Sequence, residues 1–597
     1  NAMREYVLAE HGRTDWRIVM SHPAHETVKL ACDELEKFVQ QMSGAALPVQ
    51  TELVADGEKE ILVGRSGRLA HYGIEVDWDE LGEEGYVMRA GEGYLLLAGA
   101  TPRGTLYAVY AFLEEELGCR WFASDCSLIP KRNRLTFGEL NRTDRPAFES
   151  REAYWRDAFD GDFAVRNRMN GNKADISVRQ GGRMKFYNFH HSFNDLVPVE
   201  KYFDAHPEYF SEVNGKRLRE RTQLCLSNPE VFHLTVEGVK KWIRENPDCR
   251  VFSVAQNDWY NYCTCPECAR VDAEEGSPAG SMIRFVNRVA EAIEKDYPNV
   301  LIHTFAYQYT RKAPRHVRPR HNVIVRLCSI ECCFSHPLNG ELIAPLDPRA
   351  DETPGECKSR GENAFLRDLQ DWSRIAERLY VWDYVTQFSN YLIPMPNFDV
   401  LDKNLRLFRE MGVKGVFEQG NFSHGGGGHL AELEAYLQAK LMWNPDCDMQ
   451  AHMDDFLRGY YGEAAAPYVR EYIELWQRAA RPWHVTIGAQ EDAPFIRDEV
   501  IERSVELLGE ALFFTEGQEN RARLQKLMLC MEYLLISRMP LGTPGRNALI
   551  ARFGWEAREA GIDEIHERRV LEETLEQMRA AQYRREQHFS ILNDFKM

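Results

Sequence analysis

Residues 251–268 combine a short apolar run with side chains that could act on a sugar. The first four residues, VFSV, are typical of a buried strand. Asn257, Asp258, Trp259 and Tyr260 follow where that strand would end. A carboxylate there can transfer a proton, and aromatic rings can stack on a pyranose. The segment predicts a carbohydrate site in which Asn257 and Asp258 are catalytic and Trp259 and Tyr260 contact the sugar. The alternatives are a capping role for Asp258 and a turn role for Asn257.

Three further acidic residues, Glu331, Asp383 and Glu418, stand at the ends of other apolar runs. Side chains at the carboxyl ends of the strands of a parallel barrel meet at one mouth. Cleavage of a glycosidic bond needs two acidic groups across the bond, unless the acetamide of an N-acetyl sugar replaces the enzyme nucleophile. We expect Asp258 or Glu331 to be the general acid. Asn257, Asp383 or Glu418 would orient the acetamide or stabilise the cation, and a salt bridge is the alternative role for Glu331.

The same predicted strands carry candidates for substrate binding. His190 and His191 belong to the second strand, and Trp382 and Tyr384 flank Asp383 on the seventh. We expect the histidines to bind substrate and the two aromatic residues, like Trp259 and Tyr260, to form platforms for a sugar. Ordinary packing at the rim is the alternative for these rings.

A cysteine cluster, Cys263-x-Cys265-x-x-Cys268, follows the candidate sugar residues. Three thiolates at this spacing predict a structural zinc site, provided that a fourth ligand comes from elsewhere. The candidates for that ligand are a histidine and three other cysteines, Cys328, Cys332 and Cys333. A set of reduced thiols that braces a loop is the alternative. The predicted chemistry requires no cofactor.

These candidates need a scaffold that brings distant segments together, and the pattern from residue 146 onward supplies one. Short apolar runs alternate there with helical stretches, which is typical of βα units. The candidate strands are 149–155, 190–193, 223–227, 251–255, 300–307, 323–330, 379–384 and 415–418. Eight strands in about 270 residues match the length of one (β/α)8 barrel.

The sequence therefore predicts an α/β protein with three domains. Residues 1–142 form a small N-terminal α/β domain, residues 143–428 the TIM-like (β/α)8 barrel, and residues 429–597 an all-helical domain. Helical periodicity in the last domain covers 430–443, 449–461, 465–478, 498–514, 520–538 and 562–589. The glycine tract 425–428 is either a mobile loop over the site or a linker into the helical domain.

Composition excludes several classes of partner. The chain has 597 residues and a net charge of −19, which argues against binding to nucleic acid. It contains no apolar run of the roughly 18 residues that a membrane span needs. Asn1 and Ala2 before Met3 are typical of an expression vector, and the residues after Met3 lack the apolar core of a signal peptide. We therefore expect a cytoplasmic protein with reduced cysteines and an oligosaccharide substrate; the sequence leaves its oligomeric state open.

Several motifs resemble known families. The runs GATPRGTLY at 99–107 and LGCRWF at 117–122 are similar to the domain that precedes the barrel in β-hexosaminidases and α-glucuronidases. The runs QLCLSNP at 223–229, QND at 256–258 with the cysteine cluster, RLCSIECC at 326–333 and VWDY at 381–384 resemble the bacterial family called domain of unknown function 4838. That family includes glycoside hydrolase family 163, whose members are endo-β-N-acetylglucosaminidases.

The resemblance implies a retaining glycosidase of carbohydrate metabolism that acts on N-acetylglucosamine-containing chains with help from the substrate acetamide. An α-glucuronidase-like hydrolase is the alternative enzyme, and it would need Arg326 or Arg151 to hold the substrate carboxylate. We keep Arg326 as a candidate for substrate binding. A non-catalytic carbohydrate-binding protein on a degenerate barrel is the alternative outside enzymology.

Overall fold

The computed structural model describes residues 4–350, 364–423, 425 and 427–581. The chain divides into two compact units. The first contains the chain up to Glu149, Asp157–Arg183 and Ala435–Tyr460, and the second contains Ser150–Arg156, Met184–Glu434 and the chain from Tyr461 onward. The division into domains 1–142, 143–428 and 429–597 stays a prediction.

The first unit is built on a mixed sheet of six strands. Their order across the sheet is Leu140–Asp144, Tyr86–Gly91, Tyr94–Gly99, Glu60–Val63, Arg17–Met20 and Val49–Thr51. The second and third of these strands pair as an antiparallel hairpin. Helices Glu26–Ser43 and Pro102–Glu115 contact each other. Gly44 ends the first helix with a φ of 77°, a left-handed conformation that glycine adopts without strain.

The remaining elements of this unit are short strands and helices. The strands are Glu5–Glu10 with Arg134–Gly138, and Arg120–Ala123 with Cys126–Leu128. The helices are Trp78–Leu81, Gly161–Arg166, most of Ala431–Trp443 and most of Met449–Tyr461.

The second unit is built on a parallel sheet of seven strands, a half-barrel compatible with a TIM-like fold. Their order across the sheet is Ser150–Tyr154, Gly415–Gln419, Arg378–Tyr384, Val323–Cys328, Leu301–Ala306, Val251–Ser253 and Phe186–Tyr187. Neighbouring strands are parallel throughout. Ring centroids of Tyr154 and Phe189, at or just after the two edge strands, lie 6.1 Å apart, so the sheet curls toward closure.

Two of the eight predicted strands differ from the structure. The second is a two-residue strand at Phe186–Tyr187, so residues 190–193 follow it instead of forming it. Residues 223–227 are not a strand, and only Leu224 forms an isolated bridge, to Phe210. The segment carries polar Gln223 and Cys225, whose side chains bind neighbouring loops rather than a barrel core. As a result, Phe186–Tyr187 pairs directly with Val251–Ser253.

Helices and two hairpins complete the second unit. The helices before the last strand are Phe193–Leu196, Val199–Tyr202, Pro229–Glu245, Pro266–Glu275, Ala279–Glu294, Ala364–Ile375 and Leu401–Glu410. Those after Tyr461 are Ala466–Ala480, Asp498–Phe514, Gln518–Arg538, Arg546–Glu559 and Leu571–Ala580. The hairpins pair Glu212–Val213 with Lys216–Arg217 and Glu564–His566 with Arg569–Val570. Among the described residues, no helix is both long and apolar enough to cross a membrane.

The predicted continuous helix over 562–589 is wrong for the part that the structure describes. Residues 564–570 form a hairpin there, and the helix begins only at Leu571 and ends at Ala580. Residues 582–589 of that prediction lie outside the described residues. Gly425, the first residue of the tract 425–428, packs close to the start of the same segment, because a Cβ on it would lie 1.5 Å from the carbonyl oxygen of Gly561. Gly426 of the tract lies outside the described residues.

Candidate active site

Asp258 stands just past the end of strand Val251–Ser253, where two side chains hold it. The Tyr307 hydroxyl donates a hydrogen bond of 2.9 Å to Asp258 Oδ1, and His191 Nε2 lies 3.8 Å from the same oxygen. His191 Nδ1 is 2.7 Å from the carbonyl oxygen of Gln256, so Nδ1 carries a proton and Nε2 faces the carboxylate. The Asp258 side chain keeps 28% of its surface exposed and can reach a ligand.

Buried amides fix the backbone on both sides of Asp258. Gln256 donates to the carbonyl of Tyr307 and accepts a 2.6 Å hydrogen bond from Thr310. Gln223 accepts a hydrogen bond from the backbone N–H of Asn257 and donates to the carbonyls of Asn257 and Trp259. The position of Asp258 therefore depends on the 223–227 segment as well as on its own strand.

Asn257, predicted to orient a substrate amide, uses its side chain within the protein. Its Oδ1 accepts from the backbone N–H of Asn194 at 3.1 Å, and its Nδ2 donates to the carbonyl of Thr222 at 3.0 Å. With both ends of the amide engaged, Asn257 holds two loops together and leaves substrate contact to its neighbours.

Glu331 follows strand Val323–Cys328 and is held by a buried cation. Arg311 Nη1 lies 3.3 Å from Glu331 Oε2, while Arg311 Nε lies 2.7 Å from Asp368 Oδ2. A guanidinium at hydrogen-bond distance favours the ionised form of the carboxyl group. Glu331 is therefore a strong acceptor and a poor proton donor.

Two buried phenols, Tyr307 and Tyr384, lie close enough to Asp258 and Glu331 for both charges to act on them. Burial raises the pKa of Tyr307 well above its usual value, and the charges of Asp258 and then Glu331 raise it further. Burial also raises the pKa of Tyr384, with Cys328, Tyr307, Glu331 and Asp258 adding to the shift. Both phenols therefore stay protonated as hydrogen-bond donors. Asp258, Glu331 and Tyr384, from three of the predicted strand ends, therefore lie within electrostatic range of one another.

The ring of Trp382, which we call the floor of the mouth, lies 5.6 Å from the ring of Phe305, and Phe305 in turn neighbours the rings of Tyr307 and His191. The Trp382 ring lies 4.2 Å from that of Phe417 and stacks at 6.1 Å on Phe189, and its Nε1 donates to Gln419 Oε1 at 2.8 Å. The indole is only half-buried, although it sits on the inner side of the sheet. A ring that is partly open at the floor of a mouth can stack on a sugar.

Arg326, predicted to bind substrate, lies deeper than this floor. It is 2% exposed and its guanidinium packs 5.2–5.9 Å from the rings of Phe186, Tyr380, Trp382 and Phe417. Burial lowers its pKa, and the charge of Glu152 opposes this effect. Arg151 is fully buried as well. The structure places neither arginine where it could hold the carboxylate of a bound sugar acid.

Asp383 and Glu418 lie on the opposite face of the sheet from the mouth. They are register partners on neighbouring strands, while Trp382, Phe417 and Tyr384 point inward from the adjacent positions. Successive side chains of a strand point to opposite faces, so the two acids face the helices. Ser329 Oγ donates to Asp383 Oδ1 at 2.7 Å.

The two buried acids share a proton. Burial raises the pKa of Glu418 well above its usual value, and the charge of Asp383 adds to the rise. Burial also raises the pKa of Asp383, although hydrogen bonds from Ser329 and Glu418 oppose it. Because like charges in a dry site disfavour double ionisation, Glu418 keeps the proton and donates it to Asp383.

The rim carries the remaining predicted residues. Trp259 and Tyr260 are 36% and 38% exposed, and the Arg221 guanidinium lies 5.5 Å from the Trp259 ring. His190 is exposed beside Phe189, with ring centroids 4.8 Å apart. Phe422, which sequence reasoning missed, is 40% exposed next to Tyr154. Its position four residues beyond the predicted strand 415–418 was the only signal that could have found it.

Sequence reasoning also missed Glu567, at the turn of the hairpin that was predicted to be helical. The hairpin hydrogen-bonds to the segment after strand Arg378–Tyr384, since Tyr391 N–H donates to the carbonyl of Ile565 at 2.7 Å. Burial raises the pKa of Glu567, and Asp258 is among the charges that add to the rise. The C-terminal hairpin thus brings a third carboxyl group into the electrostatic field of Asp258.

The predicted cysteine ligands come together with a fourth cysteine. Cys263, Cys265 and Cys268 form one buried cluster with Cys225, from the 223–227 segment. Cys225 was not among the predicted fourth ligands. Of those, Cys328 is near Tyr384, and Cys333 groups with His336 and His484. The cluster could hold a metal ion, because its four sulfur atoms lie within 4.8 Å of one another.

Comparison with known families follows the same segments. The profile of the family described as a domain of unknown function (DUF4838) matches residues 121–474, more than half of the chain. The chain belongs to this family. A second profile, described as the N-terminus of glycosyl hydrolase family 67, matches residues 7–112. In the DUF4838 chain, the first match falls on the barrel strands and the second on the mixed sheet of the first unit. No curated protein matches the sequence.

Three solved structures align with this DUF4838 protein, and the first resembles it in fold. The GH115 4-O-methyl-α-glucuronidase BtGH115A, described as specific for decorated arabinogalactans, is 12% identical, with a TM-score of 0.58 over 93% of this chain and 77% of the other. CpGH84D is 10% identical, with a TM-score of 0.48 over 97% of this chain and 92% of the other. Streptomyces plicatus N-acetyl-β-hexosaminidase is 11% identical, with a TM-score of 0.41 over 76% and 91%.

Proposed function

We propose that this protein is a glycoside hydrolase that cleaves N-acetylglucosamine-containing oligosaccharides with help from the substrate acetamide. The observation that carries the proposal is the accessible Asp258, which Tyr307 and His191 hold, together with Glu331, which is ion-paired with Arg311 and acts on the same buried phenols as Asp258. The resemblance in fold to BtGH115A, a glycoside hydrolase, supports it. A resemblance to glycoside hydrolase family 163 in the sequence motifs points to the same substrate class.

Asp258 is the general acid in this proposal. It is accessible, Gln223 fixes the backbone beside it, and His191 Nε2 lies 3.8 Å from its Oδ1. A proton held between the two groups can pass to the oxygen of the leaving sugar. Tyr307 keeps the carboxyl group in place through its 2.9 Å hydrogen bond.

Glu331 orients the acetamide in this proposal. Arg311 keeps it ionised, and an ionised carboxylate accepts a stronger hydrogen bond from an amide N–H than a neutral acceptor does. As the acetamide oxygen attacks the anomeric carbon, positive charge develops on the amide, and Glu331 stabilises it. The Tyr384 phenol stays protonated beside this centre and can donate to a sugar oxygen.

A neutral sugar fits this mouth better than a uronic acid. Arg326 and Arg151 are buried away from the mouth, and Arg311 is already paired with two carboxylates. We therefore expect N-acetylglucosaminides to be cleaved and glucuronides to be left intact. A purely carbohydrate-binding protein would not need an accessible acid beside an ionised carboxylate.

A panel of aryl glycosides tests the proposal. The full-length protein should release the aryl group from the N-acetyl-β-glucosaminide and not from the β-glucoside, which lacks the acetamide, or from the α-glucuronide. Proton NMR of the first product should show the β anomer, because substrate assistance retains configuration. If no glycoside is cleaved, the proposal that the protein is a hydrolase is wrong. If the glucoside is cleaved at the same rate, the proposed role of the acetamide is wrong.

Localisation and partners follow from the sequence alone. We propose a bacterial cytoplasmic protein that meets its oligosaccharide as a soluble substrate, without a nucleic acid or membrane partner.

A further inference from the structure

The cysteine cluster has a feature that glycosidic chemistry does not need. Cys225, Cys263, Cys265 and Cys268 are all at least 95% buried, with their sulfur atoms turned toward one another. Cys225 Sγ lies 3.8 Å from Cys265 Sγ and 3.9 Å from Cys268 Sγ. A disulfide requires about 2.05 Å between sulfurs, so the four thiols are close but not bonded.

We propose that these four cysteines bind one structural zinc ion, and that this ion fixes the two loops that hold Asp258. Zinc binds four thiolates as a tetrahedron with Zn–S distances of about 2.3 Å, which sets the sulfur–sulfur edges at about 3.8 Å. The Cys225–Cys265 and Cys225–Cys268 sulfur distances match that edge, and all four sulfur atoms lie within 4.8 Å of one another.

The groups around the sulfurs suit thiolates. The backbone N–H of Glu212 donates to Cys263 Sγ at 3.4 Å, and Arg217 Nη1 lies 3.9 Å from the same atom. Ser227 Oγ lies 3.3 Å from Cys268 Sγ. Cys265 stands at the N-cap of helix Pro266–Glu275, where the helix dipole favours negative charge. Four thiolates and one zinc ion carry a net charge of −2, and these donors and the guanidinium offset it.

The cluster connects to Asp258 from both sides. Cys225 comes two residues after Gln223, whose side chain holds the backbone at Asn257 and Trp259. Cys263 comes five residues after Asp258 on the same loop. The hairpin that donates to Cys263 also binds the loop a second time, since Thr264 N–H donates to the carbonyl of Glu212 at 2.8 Å. A zinc ion would therefore close the 223–227 segment and the 257–268 loop into one rigid body.

Metal analysis of the purified full-length protein tests the site without reference to catalysis. We expect one zinc ion per chain and little iron in protein prepared without metal-affinity steps. Replacement of zinc by cobalt should give the sulfur-to-cobalt charge-transfer band and the visible bands of a tetrahedral thiolate site. Less than about a tenth of an equivalent of zinc, with no cobalt band, would overturn the proposal, and stoichiometric iron would assign the site to a different metal.

A matched pair of variants locates the ion. Cys225→Ala should lower the zinc content at least about tenfold, as loss of a ligand does. Cys32→Ala removes an equally buried thiol in the first unit and should keep one zinc per chain. If Cys225→Ala does not fold, the wild-type cobalt spectrum still decides, because it needs no variant. Zinc retained in folded Cys225→Ala would remove Cys225 from the ligands.

The effect on Asp258 rests on the proposed function, whereas the metal content does not. If the protein is an N-acetylglucosaminidase, chelation of zinc should lower kcat/KM at least about tenfold while circular dichroism keeps its helical signal, because a misplaced acid loses its geometry. A zinc-loaded protein with no activity would leave the zinc site standing and remove the proposed function. A zinc-free chain with full activity would remove the zinc site and leave the proposed function standing.

Discussion

The second unit contains two pairs of carboxyl groups at or after the ends of parallel strands, and their surroundings differ. Asp258 and Glu331 lie at the mouth with a histidine, an arginine and two phenols around them. Asp383 and Glu418 stand equally close to strand ends, yet they are buried on the helix-facing side and share one proton. An acid at the end of a parallel strand is therefore a candidate for catalysis only when its side chain faces the mouth and not the helices.

The difference teaches how the environment sets the role of a carboxyl group. A neighbouring guanidinium keeps Glu331 charged, whereas a second acid in a dry site keeps Glu418 neutral. A charged Glu331 can stabilise positive charge in a reaction, and its side chain keeps 18% of its surface exposed to water. The buried pair, Asp383 and Glu418, contributes to packing and makes stability depend on pH.

The largest expected effect is on the acid at the mouth. Asp258→Asn should lower kcat/KM for an aryl N-acetylglucosaminide by about 10²–10⁴, because the amide cannot donate the acidic proton. Steady-state kinetics measures the loss, and the control is Glu418→Gln, which should keep wild-type activity. Equal losses of kcat/KM in the two variants would contradict the conclusion that Asp258 acts at the mouth and Glu418 does not.

The next effect is on stability, at the acids across the sheet. Glu418→Ala should lower the free energy of unfolding by about 2–4 kcal/mol, because it leaves a cavity and removes the hydrogen bond to Asp383. Glu418→Gln keeps the shape and a donor, so it should cost less than about 1 kcal/mol in acid. Urea denaturation followed by circular dichroism measures both.

The same pair also sets a pH dependence. The folded-state pKa of Glu418 is raised, so the wild type loses stability as pH rises from about 4.3, the unfolded value, toward the folded value. Glu418→Gln has no proton to lose there, so its stability relative to the wild type should rise over that range. A constant difference across pH would contradict the shared proton.

A smaller effect is expected from the hairpin carboxyl group. Glu567→Gln should lower kcat/KM by about tenfold or less, because it replaces a carboxyl group that interacts with the charge of Asp258 by a neutral amide of the same shape. Steady-state kinetics measures the change. Glu564→Gln, on the same hairpin, is the control and should keep the wild-type kcat/KM.

The smallest effect should come from the rim. Trp259→Ala should raise KM about 3–10-fold with kcat nearly unchanged, because an exposed stacking ring contributes about 0.5–1.5 kcal/mol to sugar binding. Trp259→Phe keeps a ring and should recover most of the affinity. A fall in kcat instead of a rise in KM would place the indole in the reaction itself.

Several strands could be predicted from the sequence because their residues are apolar on both faces. VIVRLC at 323–328 and the run around 379–384 are of this kind, and both are strands in the structure. The same property hides which side each residue faces, since no polar and apolar alternation reveals it. That is why Asp383 could be placed at a strand end and not on a face.

The other misses have equally physical causes. The turn at Glu567 and Arg568 contains no glycine, asparagine or proline, and Arg568 adopts a φ of 61° that its residue type does not announce. The helical spacing of apolar residues in that segment then predicted a helix. Cys225 lies in the run QLCLSNP, but the sequence did not identify it as a ligand. Its contact with cysteines about forty residues later depends on the tertiary structure.

The hairpin at 564–570 begins 90 residues beyond residue 474, where the DUF4838 match ends. A fragment that ends at residue 474 would keep Asp258 and Glu331 but lose the hairpin that carries Glu567. It would also expose the glycine tract that Gly561 now covers. Recombinant work on this family should therefore carry the chain past the last described helix, at Ala580, rather than trim it to the recognised segment.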